Sequence, residues 1–179
     1  LYREALQAMR ETLGDRHPHT LTSINNLGSL LQDQGDLEGA APLYREALQA
    51  RRETLGDRHP DTLMSINNLA LLLKQKGELG EAEELYREAL KARREVLGDR
   101  HPDTLTSINN LADLVYQKGE LGQAEELSRE SLAAHREVLG DRHLGTLISI
   151  GNLADLLRER GRLAEAQAVL GDAVAVARE

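Results

Sequence analysis

The chain has 179 residues, with 22 lysines and arginines against 30 aspartates and glutamates, for a formal net charge of −8. That balance, with no Trp, no Phe and only four Tyr, excludes the basic stripe and stacking rings that nucleic-acid binding uses. There is no Cys for disulfide or thiolate chemistry, no secretory signal, and no apolar run near the ~18 residues of a membrane span, so a cytoplasmic protein is expected.

The first predicted element is a lone helix in residues 1–14, LYREALQAMRETLG. The sequence starts without Met and inside a repeat, so it is expected to be a piece of a longer protein. Four helix pairs follow, over 15–56, 57–98, 99–140 and 141–179. Together these are nine helices in one array, with no strand-like alternation. Units begin at Leu1, Leu43, Leu85 and Leu127, with a partial fifth at Val169. The second and third agree at 35 of 42 positions, and a fixed period of this length signals stacked supersecondary units.

In the pair 15–56, Pro42 stands where the next unit has Glu84. It removes a backbone donor and is expected to kink its helix or shorten its start. The pair 57–98 is the clearest. Leu63, Ile66, Leu69, Ala70 and Leu73 recur at three–four spacing, with Pro60 and Asp61 suited to a first turn and Gly77 to the residue just past the end. The second helix buries Leu79, Ala82, Leu85, Tyr86, Ala89, Leu90 and Leu97, and Gly98 ends it. The pair 99–140 repeats this pattern. In 141–179, Leu144-Gly145 replaces Pro-Asp, so the usual helix opening is expected to be lost. The last helix gains Gly171, Val174 and Val176. Terminal repeats normally become more polar, so this apolar segment, 163–179, is expected to pack on a following repeat or on a second copy. No single pair can bury its own stripe, so neighbours must stack into an α-solenoid.

INNLALLLKQKGELGEAEELYREAL (66–90) resembles a tetratricopeptide repeat, with Ile66, Leu69, Ala70, Gly77, Leu79, Ala82, Tyr86 and Ala89 at that family's large–small packing positions. The 42-residue unit with its GDRHPDT loop is similar to the repeats of kinesin light chains, the nephrocystin family and the sensor arms of some signalling NTPases. The resemblance implies an all-α fold of stacked antiparallel helix pairs, wound as a right-handed superhelix. It also implies a concave groove lined by the first helix of each pair, which holds a protein or peptide partner.

Three of the seven differences between the second and third units, Met64/Thr106, Leu71/Asp113 and Lys74/Tyr116, share one face of the first helix. Across all units the row reads Thr22, Ser29, Gln32; Met64, Leu71, Lys74; Thr106, Asp113, Tyr116; Ile148, Asp155, Arg158. The core is copied while this row changes chemistry, as a surface that reads partner side chains would; free drift of solvated positions is the plain alternative. Asn25, Asn67 and Asn109 fall on the row. An amide offers both donor and acceptor, so a ladder of them would clamp an extended backbone. The second members, Asn26, Asn68, Asn110 and Asn152, would either join the clamp or bond the adjacent helix. Gly151 breaks the ladder in the last unit. Chaperone-type arrays clamp a terminal carboxylate with Lys or Arg at these positions. Asp113 and Asp155 would repel such a tail, which points to an internal segment that is neutral or basic toward the C-terminal end. Lys74 and Arg158 add positive charge to the same face.

His17, His59, His101 and His143 recur one per unit, too far apart to share a metal, and are expected to cap the helices that follow. His135, at the position of Arg51 and Arg93, is expected to be solvated. No phosphate loop, nucleophile elbow or HExxH motif is present, so no enzyme, cofactor or metal is expected. The expected function is a protein-interaction scaffold. The other readings are a regulatory arm of a signalling NTPase and a self-assembly module.

Overall fold

Glycine closes the first eight helices at a regular interval. Gly14, Gly35, Gly56, Gly77, Gly98, Gly119, Gly140 and Gly161 all have positive φ and stand 21 residues apart. At Gly77, with φ 81°, the left-handed turn brings its N–H to the Lys74 carbonyl. The Glu78 N–H then reaches the Leu73 carbonyl at 2.9 Å, so two last-turn acceptors are satisfied at once. Helix starts are equally regular. His17, His59, His101 and His143 each accept through Nδ1 from the backbone N–H two residues on, at 3.0–3.2 Å. The expected histidine cap is present in every pair.

The computed structural model describes residues 2–178, with side chains through Gly171. Among the described residues there are nine helices and no strand: α1 (Tyr2–Leu13), α2 (Pro18–Asp33), α3 (Leu37–Leu55), α4 (Pro60–Gln75), α5 (Leu79–Leu97), α6 (Pro102–Gln117), α7 (Leu121–Leu139), α8 (Leu144–Glu159) and α9 (Leu163–Arg178). The fold is all-α, an α-solenoid of stacked antiparallel helix pairs. Packing divides the chain into two units, Leu1–Ala92 and Arg93–Glu179. In the first, α2 packs on α1 and α3, and α3 on α4. In the second, α7 packs on α6 and α8, and α8 on α9.

The copied apolar stripe is the core. Leu63, Ile66, Leu69, Ala70 and Leu73 are buried, as are Ala82, Tyr86, Ala89 and Leu90 opposite them; Leu79, Leu85 and Leu97 are half-buried at its margin. Burial of one such large side chain is worth roughly 1.5–3 kcal/mol. The ion pairs along the second helices add less. Arg10 reaches Glu46 at 2.8 Å, Arg52 reaches Glu88 at 2.6 Å, and Arg94 pairs with Glu130, each partner 36 residues on. These groups are about a third exposed, so each pair contributes at most about 1 kcal/mol. Apolar burial therefore holds the stack, while the arginines help set which helices meet.

At two helix starts the expected loss of length does not occur. Pro42 does not shorten α3, which runs 19 residues like α5 and α7. Its ring lies on the exposed face, where water can take the Glu38 carbonyl that loses a donor. Asp36 holds the start in place by accepting from the Gly39 N–H at 2.9 Å. Leu144-Gly145 likewise leaves α8 at the 16 residues of α4 and α6, because His143 still caps it through the Gly145 N–H.

Candidate partner-binding face

In the first unit the row on α2 and α4 is only partly open. Thr22, Asn26 and Ser29 are exposed on α2, and Met64 and Leu71 on α4 at 42% and 38%; Asn67, Asn68 and Lys74 are half-buried. Asn25, which the spacing assigns to a ligand, is the more buried of its pair, at 8% exposure. Its Oδ1 accepts from Asn68 Nδ2 at 3.2 Å, so the second amide of one repeat bonds the first amide of the repeat before it. Gln32 is also committed to the scaffold, since its Oε1 accepts from the Tyr44 hydroxyl at 2.9 Å and its Nε2 donates to Gln75 at 2.8 Å. Replacing Asn68 with Ala should therefore cost about 1–3 kcal/mol, because it strands a buried amide oxygen. Urea unfolding of Asn68→Ala measures this, and a cost below about 0.5 kcal/mol would show that water replaces the bond.

In the second unit the row is open and hollow. Thr106, Asp113 and Tyr116 on α6, and Ile148, Asn152, Asp155 and Arg158 on α8, are exposed; Asn109 and Asn110 are half-buried. Arg158 donates to Asp155 at 3.2 Å, and the Glu159 carboxylate beside Tyr116 holds that phenol above its ordinary pKa. Between α6 and α8, over α7, lies a cavity of about 500 Å³. Seven residues of the row and its asparagine pairs line it: Asn109, Asn110, Asp113, Tyr116, Ile148, Asn152 and Asp155. Its floor holds Ala112, Ser128 and Ser131, and the Ser131 hydroxyl donates to Asn109 Oδ1 at 2.6 Å. Comparison of the second and third repeats alone stops short of Ser128. The series Tyr44, Tyr86, Ser128 displays it as soon as the next unit is aligned.

Behind this face each repeat sets one residue of its second helix type against a serine of the helix that follows. Ser23 Oγ meets Met9 Sδ at 2.9 Å, Arg51 donates to Ser65 Oγ at 2.8 Å, Arg93 to Ser107 Oγ at 2.6 Å, and His135 lies 3.2 Å from Ser149 Oγ. Arg51 and Arg93 also donate to the Asp61 and Asp103 carbonyls. Burial pulls both guanidiniums below their ordinary pKa, and Asp61 and Asp103 oppose the shift. His135 is thus corrected: it is 8% exposed, with Nδ1 2.8 Å from the Ser131 carbonyl. Arg51 and His135 are buried because the second helix of one pair and the first of the next close over them, while Met9 and Arg93 are half-buried. These polar groups have structural roles.

Paired helices whose buried positions repeat and whose first-helix face varies define a helical-repeat scaffold. The tetratricopeptide repeat model matches residues 1–53, 23–95, 61–137 and 109–179, and the chain belongs to that family. It is similar to a Podosopora anserina kinesin-light-chain structure of nearly identical TPR-like repeats, at 27% identity and a TM-score of 0.87, covering 98% of this chain and 83% of that one. It also resembles BtubC (BKLC) from P. vanneervenii, at 24% identity and a TM-score of 0.84, covering 99% of this chain and 70% of that one; that likeness shows the fold. No curated protein matches the sequence. No helix among the described residues is long and apolar enough to cross a membrane, and no His, Cys, Asp or Glu cluster among them is arranged to hold a metal ion.

Proposed function

We propose that the chain binds an extended or helical segment of a partner protein on the face formed by its first helices. Tetratricopeptide repeats generally mediate protein–protein interaction. The observation that carries the reading here is the cavity of about 500 Å³ among the varied residues of α6 and α8. A concave site with apolar walls and a few convergent polar groups is the form that binding sites take. Met64, Leu71 and Ile148, exposed on the same row, offer apolar contact area. Asn109 and Asn110 place amides where a partner backbone would run.

The test is a random dodecamer display library selected against the purified chain, with binders then titrated against a Met64→Glu/Ile148→Glu variant. Both positions are exposed, so the fold should survive. Loss of binding in the variant supports the face; binders indifferent to it place recognition elsewhere. A second reading rests on Leu163 and Leu170 of α9, exposed at 58% and 46%, which favour association through 163–179. Val174 and Val176, on which that expectation also drew, lie outside the residues whose side chains are described. Sedimentation across a hundredfold range of concentration tests it, and a constant monomer mass would end it.

A further inference from the structure

The repeat builds a tyrosine into the junction of its two helices. Tyr44 and Tyr86 are 2% and 1% exposed. The ring of Tyr44 lies so close over Gly28 that a Cβ there would sit 3.0 Å from Cε1. At the matching place in the next pair the chain has Ser128, while the small residue opposite is kept as Ala112. One side of the joint is therefore cut back and the other has not grown to fill it. The space remains open, because both residues line the cavity.

Its walls indicate what would refill it. Ile148 and Ala112 offer apolar surface, and Asn109 and Ser131 form a hydrogen-bonded polar floor. The rim carries the carboxylates of Asp113 and Asp155, with Glu159 beside Tyr116 and the Arg158 guanidinium on Asp155. That rim has three negative groups to one positive. A planar ring with a polar edge suits the interior, and a cation beside that ring suits the rim.

We infer that the cavity between α6, α7 and α8 is a subsite for an aromatic side chain of the partner, tyrosine by preference, that is followed or preceded by Lys or Arg. This rests on reading the first-helix face as the partner face. The partner would supply in trans the ring that Tyr44 and Tyr86 supply from within, and Asp113 and Asp155 would draw its basic neighbour. Their attraction is long-ranged and weakens with salt.

The direct probe is p-cresol, the tyrosine side chain as a free molecule. It should cause saturable amide shifts at Ala112, Ser128 and Asn152 that Ser128→Tyr abolishes by refilling the space. Equal shifts in both proteins would overturn the subsite. If Ser128→Tyr does not fold, Ala112→Met closes the cavity from the opposite wall. Peptides from the display library should be enriched in an aromatic residue within two or three positions of Lys or Arg. Ser128→Tyr should weaken them at least about tenfold, the size of loss expected at a buried anchor. Asp113→Asn/Asp155→Asn should weaken them less, and mainly at low salt. Peptides that depend on Met64 and Ile148 but not on Ser128 would sink the aromatic subsite and leave the partner face standing. A library with no binder would bring down both.

Discussion

Tyr44→Ser should lower the unfolding free energy by about 3–5 kcal/mol, the range for removing a buried aromatic ring from a packed core. The ring is 2% exposed, lies against Gly28 and donates its hydroxyl to Gln32 at 2.9 Å. Its loss removes apolar burial, leaves a void between α2 and α3 that the backbone cannot close, and strands the Gln32 acceptor. Urea unfolding followed by far-ultraviolet circular dichroism reads the change as a shift of midpoint. A cost under about 1.5 kcal/mol would mean that α2 and α3 close over the gap. The same measurement on Ser128→Tyr should move the midpoint upward, since there the ring enters a place already shaped for it.

Glu125→Ala should be nearly as damaging. Glu125 is 3% exposed on α7 and pairs with Arg129, Arg160 and Arg162. The last two flank the junction of α8 and α9, so one carboxylate ties three helices together. Breaking a fully buried pair costs about 3–5 kcal/mol. These arginines are 33–45% exposed and regain water, which lowers the expected cost to about 2–3 kcal/mol. Because much of the damage is the uncompensated positive charge left behind, adding Arg162→Leu should restore part of the loss. Failure of that second change to help would show that Glu125 acts through packing. The corresponding Glu83 pairs with Arg87 at 2.7 Å, and Ala41 holds the same place in the pair before it.

The helices, their ends and their apolar stripe were legible because each has a local cause. The His-Pro start, the closing glycine and the three–four spacing of Leu63, Ile66 and Leu69 need no tertiary knowledge. The environment of polar residues was not legible in that way. Helical spacing puts Asn25 and His135 on a face, but what covers that face is decided by residues a repeat away. Thus Asn25 meets Asn68, and His135 meets Ser149. Arg51, 3% exposed, would pass for a surface residue by type alone. Pro42 misleads for the opposite reason: the local rule is right about the lost bond, but solvent absorbs the loss. Of the candidate site, the varying row was readable and the cavity beneath it was not, although the exchange at Ser128 that opens it stands in the repeat register.

The arginine pairs carry one more consequence, for how such a chain changes over generations. Arg52 finds Glu88 and Arg94 finds Glu130 at the same separation of 36 residues. Deleting residues 85–126 would bring Glu130 to the position of Glu88, and Arg52 would find its carboxylate unchanged. Duplicating the same stretch would add a further identical joint. Unequal exchange between nearly identical coding segments therefore yields arrays of new length whose joints are already tested. Selection can tune reach and valency by counting units, without first having to invent an interface.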